Sequence, residues 1–206
     1  MRDGSSGDRR VKTTTWPQRH EGTFAALGEH LRRLGVAGPR VLEVGPGATS
    51  RWLASRLAPG EGERLSAAGN RWRAFLRNLD SLVRRLPGAE LQSYEPGELW
   101  SVLPEGSSLI VTDISRRVVE AVGRQYPHVE ARVLDLSREA LSPPADAVVC
   151  LCVLVRAESP RPIFENLCRS LRTGGLLAID QRSVRQFAPS DFPFEQLGPQ
   201  IWRKNA

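Results

Sequence analysis

Three short stretches of this chain combine residue types that can hold a polar ligand. Val41-Leu42-Glu43-Val44 leads into Gly45-Pro46-Gly47, Leu109-Ile110-Val111-Thr112 leads into Asp113, and Val133-Leu134 leads into Asp135. Two glycines after an apolar run let the backbone turn sharply and approach a ligand closely, because neither carries a Cβ. A carboxylate at the end of a strand can accept hydrogen bonds from neighbouring hydroxyls, each contributing about 1.5–3 kcal/mol. The loop suits a nucleotide-like ligand but fails in detail as a dinucleotide site, because Ser50 stands where that motif places its third glycine.

Such residues meet only if strands deliver them to one edge of a sheet. Arg40–Val44 is apolar apart from its ends, as expected for a strand covered on both faces. Further strands are expected at Leu109–Thr112, Glu130–Leu134, Ala147–Leu151 and, after Thr173-Gly174-Gly175, at Leu176–Asp180. Between them the spacing of apolar residues predicts helices at Glu21–Leu34, Ser50–Leu57, Ser115–Tyr126 and Pro160–Leu171. Ser115 is placed as an N-cap. Strands alternating with helices imply an α/β domain with a doubly wound, mostly parallel sheet. Residues 71–86 form another amphipathic helix, with Trp72, Phe75, Leu76, Leu79, Val83 and Leu86 on one face. Gln181–Phe194 reads as a loop, and Leu197–Arg203 as one added edge strand. Residues 90–103 carry no clear period.

The composition narrows the classes of function. A chain of 206 residues suits one domain, with residues 1–20 a flexible polar leader and no apolar run of membrane-spanning length. A cytoplasmic protein is the simplest expectation. Net charge is +6, carried almost wholly by arginine, since Lys12 and Lys204 are the only lysines. The arginines are mostly interleaved with glutamates, so a solvated basic surface is preferred over a nucleic-acid partner, which stays possible. Cys150, Cys152 and Cys168 form neither a disulfide framework nor a paired zinc motif, and read as reduced, buried thiols. No metal site is expected, and the oligomeric state is left open.

In order, Val41–Gly47, Leu109–Ser115, Val133–Leu136, Asp146–Leu154 and Ser170–Asp180 resemble the motifs of class I S-adenosylmethionine-dependent methyltransferases. The resemblance covers roughly residues 38–181. It implies a Rossmann-like methyltransferase fold with a helical insertion, residues 59–108, after the first helix. It also implies S-adenosylmethionine as cofactor and S-adenosylhomocysteine as product. The residues it assigns to the cofactor are Glu43, Gly45, Pro46, Gly47, Asp113, Ile114, Asp135, Leu136 and Cys150. Asp113 would take the ribose hydroxyls, though a strand-end cap is the competing reading. Ile114 would press on the adenine. Asp135 would meet the adenine amino group, or else cap the turn at Ser137–Leu141. Glu43 would face the methionine end, or else bond the amides of its own loop.

The resemblance implies direct, in-line methyl transfer, which needs orientation more than side-chain chemistry. Neither an Asn/Asp-Pro-Pro-aromatic run nor a Pro-Cys pair follows the fourth strand, so amino methylation in that style and covalent attack by Cys152 are not expected. A base helps where the acceptor is a hydroxyl or an ammonium. Candidates are His20, Tyr94 and Asp180, with Glu21, His30 and Glu95 behind them. The expected acceptor is a small molecule. RNA or protein is the alternative acceptor, and a catalytically silent binding module is the third possibility.

Overall fold

The computed structural model describes residues 20–51, 69–86, 88–93, 95–187 and 192–205. Helix α1 spans Glu21–Arg33 and β1 Arg40–Val44, followed by the two-residue strand β2, Thr49–Ser50. Helix α2 is Gly69–Val83, β3 Leu91–Gln92 and α3 Glu95–Val102. Then come β4 (Ser108–Asp113), α4 (Arg116–Gln125), β5 (Glu130–Val133) and β6 (Ala145–Cys150). After a 3-10 turn at Leu154–Arg156 follow α5 (Pro160–Arg169), β7 (Leu171–Ile179) and α6 (Gln181–Phe187). Strands β8 (Phe194–Gln196) and β9 (Ile201–Lys204) complete the chain.

Seven strands form one sheet in the order β5-β4-β1-β6-β7-β9-β8. The β5-β4-β1-β6-β7 pairs are parallel, and β9 runs antiparallel between β7 and β8. From central β1 the chain fills one side with β4 and β5, then returns to the other with β6 and β7. That reversal opens a crevice beyond the carboxyl end of β1, where open sheets bind ligands.

Alternation along the strands supplies two cores. Val41, Leu109, Val111, Ala147, Val149 and Ala178 face Phe24, Leu27 and Leu31 of α1, Leu99 of α3 and Val118 and Val122 of α4. Leu42, Ile110, Val148, Leu177 and Ile179 face Phe164 and Leu167 of α5. Helix α1 also lies close on α3, where a Cβ on Gly28 would stand 2.3 Å from the Val102 carbonyl oxygen. The Arg32 guanidinium donates to that same oxygen at 2.9 Å.

The structure departs from the sequence expectations at five places. Thr49–Ser50 is a strand paired with Leu91–Gln92, so the helix expected from Ser50 begins at Arg51, and its continuation to Leu57 lies outside the described residues. Residues 95–102, which showed no period, form a short helix. The fifth long strand starts at Leu171 rather than Leu176, and Gly174, at φ +76°, sits within it beside a register shift. Residues 181–187 are helical because Asp180 accepts the Arg182 and Ser183 N–H groups, which caps the first turn. Two antiparallel strands, rather than one, close the edge.

Helix α2 buries only part of the expected face. Leu76 is buried, but Phe75, Leu82 and Leu86 are 52%, 60% and 58% exposed. The buried residue one turn after Leu76 is Asp80, which accepts hydrogen bonds from Ser50 N–H at 2.8 Å and Ser50 Oγ at 2.6 Å. Two bonds to a buried carboxylate fix the rotation of the helix more firmly than any single apolar contact. The side chain of Trp72 lies outside the described residues.

Truncating the α5 core residue Phe164 to Ala should lower unfolding free energy by about 3–5 kcal/mol, whereas Leu82→Ala on the open face of α2 should cost less than about 0.5 kcal/mol. Urea unfolding monitored by circular dichroism measures both. Equal losses would contradict this packing.

Candidate functional site

The crevice has a volume of about 490 Å³. Its floor is the loop after β1. Gly45 and Gly47 have φ +60° and +70°, backbone that an L side chain rarely adopts. Gly45 N–H donates to the Thr112 carbonyl oxygen at 2.8 Å, which ties the loop to the end of β4. A Cβ on Gly47 would meet no protein atom within 4 Å. Gly45, Pro46, Gly47 and Ala48 all line the crevice.

One end is formed after β4 and β5 by Asp113, Ile114, Leu134, Asp135, Leu136 and Ser137. Asp113 Oδ1 accepts Ser115 N–H at 2.7 Å, so the expected cap of α4 comes from Asp113, and Ser115 supplies no side-chain cap. Burial raises the Asp113 pKa above its ordinary value, and the Ser115 bond and the Arg84 charge offset part of that. Ile114 is 74% exposed at the mouth, a large apolar side chain with no covering. Asp135 is engaged locally: Oδ1 accepts Ser137 N–H at 2.9 Å and Ser137 Oγ at 2.6 Å, and Oδ2 lies 3.3 Å from Arg138 Nε. The Ser137 bonds lead in holding its pKa below the usual value. The turn-capping role is therefore present, while the residue also borders the crevice.

A second wall comes from the loop after β6. Leu151, Cys152, Val153, Arg156 and Ala157 line it, whereas Cys150, read from sequence as a contact, is fully buried behind it. Cys152 has φ +60°, a left-handed conformation unusual for a residue with a Cβ. Its N–H donates to Asp180 Oδ2 at 2.8 Å. Asp180 also accepts from Ser183 Oγ at 2.7 Å. Burial pushes the Asp180 pKa up, but the bonds from Ser183, Cys152 and Arg182 outweigh it and leave it lowered. Asp180 does not line the crevice. It is a positioning residue for the Cys152 backbone rather than an exposed base.

The third wall is made by the head of α1 and by residues 80–95. His20, Thr49, Asp80, Ser81, Arg84, Gln92, Ser93 and Glu95 contribute to it. His20 Nε2 stands 3.8 Å from Glu95 Oε1, and the imidazole is largely buried. Tyr94 lies outside the described residues. Glu43 lies behind this wall, off the lining, and is 2% exposed. Neither of its oxygens has a hydrogen-bond partner among the described residues, so it does not bond its loop amides. Burial first, then the charges of Glu95 and Glu98, raise its pKa well above the ordinary value. Burial, with the Glu21 charge, pushes Glu98 to about 7.

The loop glycines, Pro46, Asp113, Ile114, Asp135 and Leu136 thus share one crevice with His20 and Glu95; Glu43, Cys150 and Asp180 stand behind it. Sequence reasoning missed Thr49, Asp80, Ser93 and Arg84. Asp80 left a readable trace, as an acid set into the apolar face of a helix between Leu76 and Val83.

A family profile described as a methyltransferase domain matches residues 96–179. No curated protein sequence matches the chain. Among solved structures, a SAM-dependent methyltransferase from Aquifex aeolicus is 13% identical, with 91% of each chain covered and a TM-score of 0.50. The N-methyltransferase NodS from Bradyrhizobium japonicum WM9, in complex with S-adenosyl-L-homocysteine, is 14% identical over 89% of this chain and 73% of its own, with a TM-score of 0.48. CalS10 from Micromonospora echinaspora, a SAM-bound amino pentose methyltransferase, is 15% identical over 77% of this chain and 49% of its own, with a TM-score of 0.44. The chain thus spans about half the length of CalS10. Among the described residues, no helix is long and apolar enough to cross a membrane.

The raised carboxyl of Glu98 gives a signed pH prediction. A folded pKa of about 7 against an ordinary 4.5 means the folded state holds the proton more tightly. Its stabilising contribution is complete below the ordinary value and is lost as pH rises through the folded one. Between pH 5 and pH 8 the wild type should therefore lose several degrees of Tm relative to Glu98→Gln. Parallel Tm–pH curves from calorimetry would contradict the assignment.

Proposed function

We propose that this chain is a class I S-adenosylmethionine-dependent methyltransferase that transfers a methyl group directly, in line, to a small-molecule acceptor. The observation that carries this reading is the convergence of the glycine loop, Asp113, Asp135 and a separate polar wall on one crevice. Its volume, about 490 Å³, falls in the range of small-molecule sites, about 300–1,000 Å³.

The residues fit the cofactor on structural grounds. The space above Gly47 is open, and a side chain there would project into it. Asp113 would hold the ribose hydroxyls, with Ile114 and Leu136 on the adenine faces and Asp135 at its edge. Gly45-Pro46-Gly47 and the Leu151–Cys152 backbone would close on the methionyl portion. When bound, the cofactor supplies a methyl group already activated by its positive sulfur. The chain's own task is then to orient the acceptor, exclude water and take up a proton where the acceptor carries one. His20, paired with Glu95, is the crevice residue suited to that uptake.

A second reading, a polyanionic acceptor such as RNA, draws support from a neighbouring hollow lined by Arg84, Arg85 and Arg117. Arg117 is partly occupied, donating to the carbonyls of Arg84 at 2.7 Å and Ala89 at 2.9 Å. An RNA acceptor requires oligonucleotide binding that weakens steeply with salt. Fluorescence anisotropy with a labelled single-stranded RNA across a salt series separates the two readings.

Calorimetric titration with S-adenosylhomocysteine should show one site per chain. Asp113→Ala should weaken it at least about tenfold, the equivalent of one charge-assisted hydrogen bond. No heat from folded wild type would end the proposal, and unchanged affinity in the variant would remove Asp113 from the site.

A further inference from the structure

One corner of the crevice carries an excess of hydrogen-bond acceptors. Glu95 lines it, and Glu43 and Glu98 stand close enough for charge to act between them. Both Glu43 oxygens and Glu98 Oε2 are buried and unpartnered among the described residues. Burial is the leading reason that both hold protons above the usual range, with the charges of Glu95 and Glu98 adding to it at Glu43 and that of Glu21 at Glu98.

Two hydroxyls extend the same wall independently of that cluster. Thr49 and Ser93 are 6% and 2% exposed, they line the crevice, and their Oγ atoms have no hydrogen-bond partner among the described residues. The Ser93 backbone, by contrast, is fully held. Its N–H donates to Gln125 Oε1 at 3.1 Å, and its carbonyl accepts from Tyr126 OH at 2.8 Å. The main chain of Ser93 is thus held at the wall, while its hydroxyl has no hydrogen-bond partner among the described residues.

We propose that this corner, lined by His20, Thr49, Ser93 and Glu95 and backed by Glu43 and Glu98, binds the amino group of the acceptor, so that the substrate class is an amine. The proposal rests on the methyltransferase reading given above. An ammonium presents three donors and no acceptor, the complement of a carboxylate beside two spare hydroxyls. Its charge would also let the backing carboxyls ionise. A carboxylate or phosphate ligand would instead add a like charge to the corner.

The same residues serve the proton that an ammonium must lose before it can react. One N–H bond breaks, its electron pair stays on nitrogen as the lone pair that attacks, and the proton passes to a ring nitrogen of the His20 imidazole. Glu95, 3.8 Å away, offsets the resulting charge. The nitrogen is then a nucleophile facing the crevice.

The test uses the whole chain saturated with S-adenosylhomocysteine and three probes of one frame: benzylamine, benzyl alcohol and benzoate. NMR titration should show benzylamine binding at least tenfold tighter than either of the others. Glu95→Gln and Ser93→Ala should each weaken benzylamine at least threefold, while changing S-adenosylhomocysteine affinity less than twofold. Alcohol or benzoate binding as well as the amine to wild type would overturn the proposal, with no variant needed. So would a Glu95→Gln protein that loses S-adenosylhomocysteine in step with benzylamine, since the corner would then serve the cofactor's own ammonium. Failure of wild type to bind S-adenosylhomocysteine at all is a different result, and removes the methyltransferase reading itself.

Discussion

A single backbone hydrogen bond, from Gly45 N–H to the Thr112 carbonyl, sets the geometry on which the crevice depends. It extends the β1–β4 register one step past the last paired residues, Val44 and Thr112. The glycine loop and Asp113 leave the sheet from that shared point, so their separation is a property of the ladder rather than of either loop. Gly45 can make the bond because its positive φ costs a glycine little. Added there, a Cβ would stand 2.7 Å from Val153 Cγ2, a side chain of the opposite wall. The loop therefore fixes both the carboxylate beside it and the distance to the wall across from it.

The parts of this site that were legible in the sequence are those that parallel strands impose. An apolar run followed by an acid or a glycine has few structural meanings, and Gly45, Gly47, Asp113 and Asp135 all emerged at strand ends. What the pattern could not give was the direction of side chains within a strand. Glu43 alternates with Leu42 and Val44, and that alternation turns it toward the α1 and α3 layer instead of the crevice. Cys150 is turned inward by the same rule, with its pKa raised by burial in the opposite core.

The third wall was illegible for another reason. Thr49, Asp80 and Ser93 come from three separate segments joined only by long-range contacts, the β2–β3 pairing and the Asp80–Ser50 bonds. No local period announces such an assembly. Residues 71–86 carry a helical period whose apolar face is buried at Leu76, whereas Phe75 and Leu86 at its edge are exposed. A buried carboxylate with two donors outweighed the exposure of Phe75, Leu82 and Leu86. Polar satisfaction at Asp80 and apolar burial at Leu76 thus share one side of the helix.

The close approach of Gly28 to Val102 joins the two helices whose heads carry His20 and Glu95. With a carbonyl filling the space a methyl group would need, and Arg32 fastened to the same oxygen, there is no slack for one helix to slide past the other. The two elements from which the imidazole and the carboxylate reach the crevice are thus in direct backbone contact. A side chain larger than hydrogen at position 28 would have to part those helices, and so would reach the crevice from its far side.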